Sequence, residues 1–412
     1  MACSGGHRQP GDPVAVTNVV LLVQNESVPR DRRVWMEARA LAEGGCSVTV
    51  VGPMGPTYDT EPAETIEGIR LLRYPPRPAP DTSLPAYGRE YLSALAWMAR
   101  LLLQVPRPID VIHVANPPDL LALLGVVPKL LWGTRVVYDQ HDLVPELFES
   151  RFGRRGLPWR AAALVERLSY RLADRVVVTN ESYRQVATER GGKPIDVVST
   201  VRNAPDVSVF RRVATDPDLK RGHPYLAVYV GVISPQDGVD VLLRSMHVYR
   251  TELGRDDLQV SIVGDGDALA DCRRLATELG LDDMVHFAGW QSTEGVLRHL
   301  STADVALAPD PPSPLNDRST MVKVIEYQAI GLPIVSFDLH ESVTSAGDAA
   351  VYASGGDERE FAELIAKLLD DPGLRSAMGK IGLERTAGPL SWDVGRANLA
   401  SSYEQMMARP LR

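Results

Sequence analysis

Residues 313–338 read SPLNDRSTMVKVIEYQAIGLPIVSFD. The stretch opens on turn formers, continues as a helical run, stops at Gly331 and Pro333, and ends in an apolar strand. Ser319 or Thr320 can cap such a helix, and Gly331 suits its end. The helix start, from Ser319 through Thr320 to Met321, offers backbone N–H groups and the positive dipole end to an anion. Lys323 and Glu326 stand three apart and share a face. A carboxylate there can accept hydrogen bonds from both ribose hydroxyls while the ammonium neutralises phosphate. The same spacing equally suits an exposed salt bridge on a helix that merely covers a sheet.

Outward from this stretch, short apolar runs alternate with amphipathic ones. Strands are predicted at 225–231, 258–266, 284–290, 304–309, 332–338 and 349–353 in the second half, and at 16–24, 47–53, 69–74, 110–115, 134–139 and 175–180 in the first. RRVWMEARALAEGG, ending at Gly44 and Gly45, reads as a helix between the first two strands. Continuous apolar strands separated by helices indicate parallel sheets covered on both faces. Residues 204–224 are polar, rich in proline and without clean period, and read as a linker. The fold class expected is therefore α/β, with two facing, doubly wound Rossmann-like domains and an interdomain cleft. The boundaries are a flexible N-terminus over 1–15, an acceptor domain over 16–203, the linker, a donor domain over 225–390, and a C-terminal helix within 391–412 that packs back on the first domain. Ligands in such sheets bind beyond the carboxyl ends of the strands.

Three further segments sit at such strand ends. In YVGVISPQDGVDVLLRSM, from Tyr229, Gly231 lets backbone approach a ligand and Gly238 lies near a helix start. In SIVGDGD, from Ser261, Gly264 and Gly266 do the same, and Asp265 with Asp267 form a DxD-like pair that reads more readily as a turn than as a metal site. In VVYDQHDLVPELF, from Val136, His141 follows a buried strand and should project into the cleft, to bind donor oxygens or to position an acceptor hydroxyl, though taken alone it reads more readily as a histidine simply hydrogen-bonded in its loop.

The bulk numbers narrow the class of function. The chain of 412 residues carries a net charge of −9, divided as +2 over residues 1–203 and −11 over residues 204–412. An acidic balance argues against nucleic acid as a partner. RFGRRGLPWR, from Arg151 to Arg160, reads either as a solvated surface or as a patch for an anionic lipid or lipid-linked acceptor. Cys3, Cys46 and Cys272 form no CxxC pair and suit a reducing cytoplasm. LLALLGVV, from Leu120, is too short to span a bilayer, so any membrane attachment is peripheral. No segment shows GxGxxG after a strand with an acid about 20 residues on, which disfavours a nicotinamide dehydrogenase.

With these segments assembled, the chain resembles glycosyltransferase family 4, the large retaining GT-B family, and its bacterial cell-wall, capsule and O-antigen branch. The resemblance runs from about Val19 to Tyr403 through RDRRVWMEARALAEGGCSVTVVGP, DVIHVANPPDLLAL, YDQHDLVPELF, RNAPD, GVISPQDGVDVLL, VGDGDAL and the stretch quoted first. It implies that Glu326 binds ribose, that His141 lies close to the transferred sugar, and that Gly231, Gly264, Gly266 and Trp290 border the donor. It further implies a nucleotide-sugar donor, a glycan, lipid-linked or small-molecule acceptor, retention through an oxocarbenium-like state, and no metal cofactor.

The sequence departs from the family in three places. Arg318 stands where the family has its first glutamate, with Asp317 one residue off as a replacement. Ser234, Gln236 and Asp237 replace the cations that usually grip the diphosphate, which leaves Lys323 and Arg318 to compensate. QNESVPRDRR replaces the usual first-loop glycines, making Asn25 and Arg32, with Asn116, the acceptor-side candidates. Two other readings stay open: a secondary-metabolite glycosyltransferase, and a catalytically silent GT-B subunit.

Overall fold

The structure is a computed structural model that describes residues 17–78, 83–153, 155–207 and 209–409. The N-terminal segment and Cys3 lie outside the described residues. The chain divides into two compact units, Met1–Arg202 with Asp393–Arg412, and Asn203–Trp392.

In the first unit the strands are β1 (Asn18–Leu22), β2 (Ser47–Pro53), β3 (Ala63–Ile66), β4 (Ile69–Tyr74), β5 (Val111–Ala115), β6 (Arg135–Gln140), β7 (Arg175–Val178) and β8 (Val198–Thr200). Its helices are α1 (Arg32–Glu43), α2 (Leu84–Leu102), α3 (Val126–Trp132), α4 (Val144–Phe152), α5 (Leu157–Leu172) and α6 (Glu181–Glu189). The sheet runs β3-β4-β2-β1-β5-β6-β7-β8, and all its pairings are parallel except β3 with β4. Asp31 starts α1 by accepting from the Val34 N–H. Central strands such as VVLL and VIHVA are buried on both faces, as a helix-covered parallel sheet requires.

The second unit holds β9 (Tyr225–Val230), β10 (Leu258–Val263), β11 (Val285–Gly289), β12 (Val305–Ala308), β13 (Ile334–Phe337) and β14 (Ala350–Ala353). Between and after them come α7 (Val239–Thr251), α8 (Leu269–Glu278), α9 (Thr293–Thr302), α10 (Val322–Ile330), α11 (His340–Ala346), α12 (Glu358–Asp370) and α13 (Pro372–Ala387). The sheet is fully parallel in the order β11-β10-β9-β12-β13-β14. Val335 and Phe337 of β13 point into one core with Leu242, Met246 and Phe361, and Ile334 points into the other with Val324 and Ile330. That alternation is how one strand serves two helical layers.

The residues read as a linker are bound to the second unit: Arg212 Nε donates to the Ile330 carbonyl, and the Val213 N–H donates to Ser301 Oγ. The last helix, α14 (Trp392–Ala408), belongs almost wholly to the first unit. Asn398 Nδ2 donates to the Thr200 carbonyl, and Tyr403 Oη lies 2.8 Å from His113 Nδ1.

Candidate active site

In the first sheet the strand order reverses between β1 and β5, so the loops leaving β1, β5 and β6 come together at the carboxyl ends, where α/β sheets hold ligands. Asn116, at the end of β5, is buried and clamps the loop after β6. Its Oδ1 accepts from the N–H groups of His141 (2.6 Å) and Asp142 (3.1 Å), and its Nδ2 donates to the Asp142 carbonyl and to Asp119 Oδ1. The structure thus brings Asn116 and His141 together, with Asn116 fixing the loop that carries the histidine. His141 Nε2 is held by Asp139 Oδ2. Asp139 is fully buried and is gripped by Arg33 at 2.8 Å. Burial raises the Asp139 carboxyl, but Arg33, His141 and His113 outweigh it and hold the group well below the usual carboxylate range.

Arg33 also reaches Glu37 at 3.1 Å, one turn on along α1. Burial and the charge of Asp139 push the Glu37 carboxyl upward. Arg33, Glu37 and Asp139 were missed from sequence. The signal was the spacing YDQH, which places an acid and a histidine two apart on one side of a strand end. Glu37, His113 and Asp139 are buried with ligand atoms within 4.8 Å of one another. Because the Arg33 guanidinium already bridges both carboxylates, the trio reads as a neutralised charge network rather than a cradle for a cation. The other acceptor-side candidates, Asn25 and Arg32, are exposed on the β1–α1 loop and at the start of α1.

In the second sheet the reversal falls between β9 and β12. There backbone meets backbone. A Cβ on Gly264 would lie 1.8 Å from the Gly231 carbonyl oxygen, and one on Gly266 would lie 2.3 Å from that of Ile233. These glycines let the loops after β9 and β10 pack against one another. Asn316, buried and also missed, ties the neighbouring segment by donating to the carbonyls of Gln236 and Pro311. Asp265 Oδ1 accepts from the Gly266 N–H, a local turn bond, and both Asp265 and Asp267 are exposed.

Helix α10 begins at Val322, with Met321 at the cap position and no side chain capping it. The cap position thus falls on Met321 rather than on Ser319 or Thr320. Ser319 Oγ donates to the Leu315 carbonyl, closing a turn before the helix starts. Glu326 is half-buried on this helix. Lys323, by contrast, is 8% exposed and pairs with Asp310 at 2.6 Å and Asp237 at 3.9 Å. Burial works against its charge, but the two aspartates prevail and raise its pKa. Asp317 is exposed and caps α11, its Oδ1 accepting from the His340 N–H. Arg318 is exposed beside it, and Trp290 follows β11 with 62% of its surface open. Burial, with Asp310 and Asp267 nearby, pushes Asp237 up to about 6 against the opposing pull of Lys323.

The family described as "Glycosyl transferase 4-like domain" matches residues 31–203, and that described as "Glycosyl transferases group 1" matches residues 224–371. A D-inositol 3-phosphate glycosyltransferase of Thermomonospora curvata is 29% identical over 301 residues, covering 68% of this chain and 68% of that protein. Sucrose-phosphate synthase of Thermosynechococcus elongatus superposes with a TM-score of 0.77 at 19% identity, over 95% of this chain and 99% of that one. Anabaena Alr3699/HepE, solved in complex with UDP, superposes with a TM-score of 0.70 at 14% identity, over 95% and 100%. At these identities the superpositions speak for the fold, which is GT-B. The two family matches lie in tandem, one on each unit, and the chain is an enzyme, a glycosyltransferase of family 4.

Proposed function

We propose that this glycosyltransferase moves a sugar from a nucleoside-diphosphate donor, with retention of configuration, to a hydroxyl of a cell-envelope or lipid-linked glycan. The observation that carries the reading is the start of α10 at the switch point of the second sheet, where Met321 at the cap position contributes no side-chain bond, with Glu326 one turn further on. Free N–H groups at a helix start favour a diphosphate, and a half-buried carboxylate beside them suits the paired hydroxyls of a ribose. Gly231, Gly264 and Gly266 keep the adjoining loops low enough for a nucleotide, and Trp290 offers an open aromatic edge near the base.

In this reading the bond from the anomeric carbon to the diphosphate breaks first, leaving an oxocarbenium-like sugar. The acceptor oxygen then bonds to the same face, and its proton passes to a departing phosphate oxygen. The N–H groups at the start of α10, together with Arg318, stabilise the charge that develops on the diphosphate. Lys323, fixed by Asp310 and Asp237, contributes through its field. His141 contacts the transferred sugar through Nδ1, since Nε2 is committed to Asp139. The reading assigns the departing charge to these groups and invokes no metal ion. The cytoplasm is the proposed compartment, where a buried free thiol such as Cys272 persists, with peripheral contact at the membrane.

The anomeric configuration of the product, read by NMR against that of the donor, tests the chemistry. An inverted product sinks the assignment of retention.

A catalytically silent subunit is the second reading. It is favoured by Lys323 being neutralised by Asp310 and Asp237, and by the loop after β9, residues 231–238, carrying no cation.

A further inference from the structure

Helices α2, α3 and α5 lie side by side on the first unit, joined by the 3-10 segment Asp119–Gly125. Arg107, just after α2, stacks on Trp132 of α3, and Lys129 of α3 donates to the Leu172 carbonyl at the end of α5. Their outer face is unusually apolar for a surface. Of the twenty large hydrophobic side chains that are exposed among the described residues, ten fall on these helices and the segments joining them. Leu130 is 78% exposed, Leu131 67% and Leu157 80%, with Leu92, Val127 and Leu164 also more than half open.

The fully exposed charges on this face are all of one sign. Arg89, Arg100, Arg160, Arg167 and Arg171 are exposed. The acids on the same elements are withdrawn: Asp119 and Glu166 are buried, and Glu90 accepts from Gln24 Nε2 at 2.7 Å. Among the described residues these elements show no exposed carboxylate. The face also has relief. Arg77, after β4, and Arg89, Leu92, Trp97 and Arg100 on α2 line a trough of about 780 Å³, with Glu90 as its one carboxylate.

We propose that the face formed by α2, α3 and α5 docks this enzyme onto an anionic bilayer, with a lipid phosphate held among the arginines of the α2 trough. Exposed leucines beside arginines that outnumber the single half-buried carboxylate, Glu90, match the boundary between acyl chains and anionic headgroups. A second copy of the chain fits the face poorly, because two such surfaces would oppose arginine with arginine. No helix among the described residues is long and apolar enough to cross a membrane, so this attachment lies on the surface of the bilayer. The inference deepens the reading of a lipid-linked acceptor and rests on that reading only for its purpose.

The test is co-sedimentation of the full chain with phosphatidylcholine vesicles with and without phosphatidylglycerol, in the absence of donor and acceptor. The full chain is expected to partition at least about tenfold more strongly onto the anionic vesicles, less so as salt rises. The double variant Leu130→Glu/Leu157→Glu, and separately Arg160→Glu/Arg167→Glu, should each lose most of that binding. Both should keep the native melting temperature and donor hydrolysis, since all four side chains are exposed. Val343→Glu, on an exposed position of the second unit, should bind as the native chain does. Equal binding to neutral and anionic vesicles, no binding to either, or variants that bind normally would each overturn the proposal. So would self-association abolished by Leu130→Glu/Leu157→Glu in a chain that ignores vesicles. Failure here leaves glycosyl transfer standing, and loss of transfer leaves vesicle binding measurable.

Discussion

Asp139 holds His141 by its Nε2 while Arg33 grips the same carboxylate from the other side, so the histidine in the β6 loop is oriented by a buried ion pair. A carboxylate on one ring nitrogen fixes the tautomer and leaves Nδ1 as the free position. Asp139→Asn keeps the shape but removes the charge. Its kcat should fall by about 10²-fold, the low end for a misplaced acid–base group, with donor KM nearly unchanged. A loss confined to donor KM would show that His141 does not depend on Asp139.

Breaking the same pair from the other side should be a matter of stability. Arg33→Met leaves Asp139 buried without its main cation, and removing one member of such a pair typically costs about 3–5 kcal/mol. Chemical denaturation should show this loss in the first unit, with much of it restored in Arg33→Met/Asp139→Asn. An unaltered unfolding midpoint would mean that the network is better solvated than its burial implies.

Gly264 has φ +146° and no room for a side chain beside the Gly231 carbonyl. Gly264→Ala should destabilise the second unit by about 3 kcal/mol and raise donor KM. Gly231→Ala, where a Cβ first meets the Tyr229 hydroxyl at 2.9 Å, should be milder because a side chain yields more easily than backbone. Equal effects from the two would argue that loop contact is not what requires these glycines.

Asp237 gives donor binding a pH dependence. With its carboxyl raised to about 6, chiefly by burial, it is largely neutral at pH 5 and ionised at pH 7. Ionisation adds negative charge in the loop proposed to face the diphosphate, so donor KM should rise as pH climbs through about 6. A sugar-blocked diphosphate does not itself titrate there. The linkage to stability has the same sign: a carboxyl raised above its unfolded value of 3.8 favours folding most at low pH, and that contribution is lost as pH rises through about 6. Asp237→Asn should flatten the KM profile. A profile that stays steep in the variant assigns the titration elsewhere.

The architecture was legible because parallel strands buried on both faces write themselves as apolar runs, and the interior strands lie close to where those runs predict them. The strands left unseen, β3 and β8, are both edge strands: AETI is half exposed and VST is three residues long. Neither carries an apolar run to read. The candidate site was legible one residue at a time but not in its pairings. His141 and Glu326 could be named as candidates, whereas the Arg33–Asp139 contact joins residues 106 apart and leaves no local pattern. Lys323 shows the same limit. Its i,i+3 spacing to Glu326 suggested a partner on its own helix, and the structure pairs it with Asp310, 13 residues before it on the segment after β12.

The central claim is a donor-competent transferase whose Glu326 binds the nucleotide ribose. Released nucleoside diphosphate should be measured for the purified chain with UDP-, GDP-, dTDP- and ADP-sugars, beside Glu326→Ala and with ligand-induced thermal shifts. The account predicts slow release from one donor and a matching thermal shift, with donor KM raised at least about tenfold in Glu326→Ala by the loss of charged hydrogen bonds. No release and no shift with any donor, or a Glu326→Ala enzyme that handles its donor like the native chain, would contradict it.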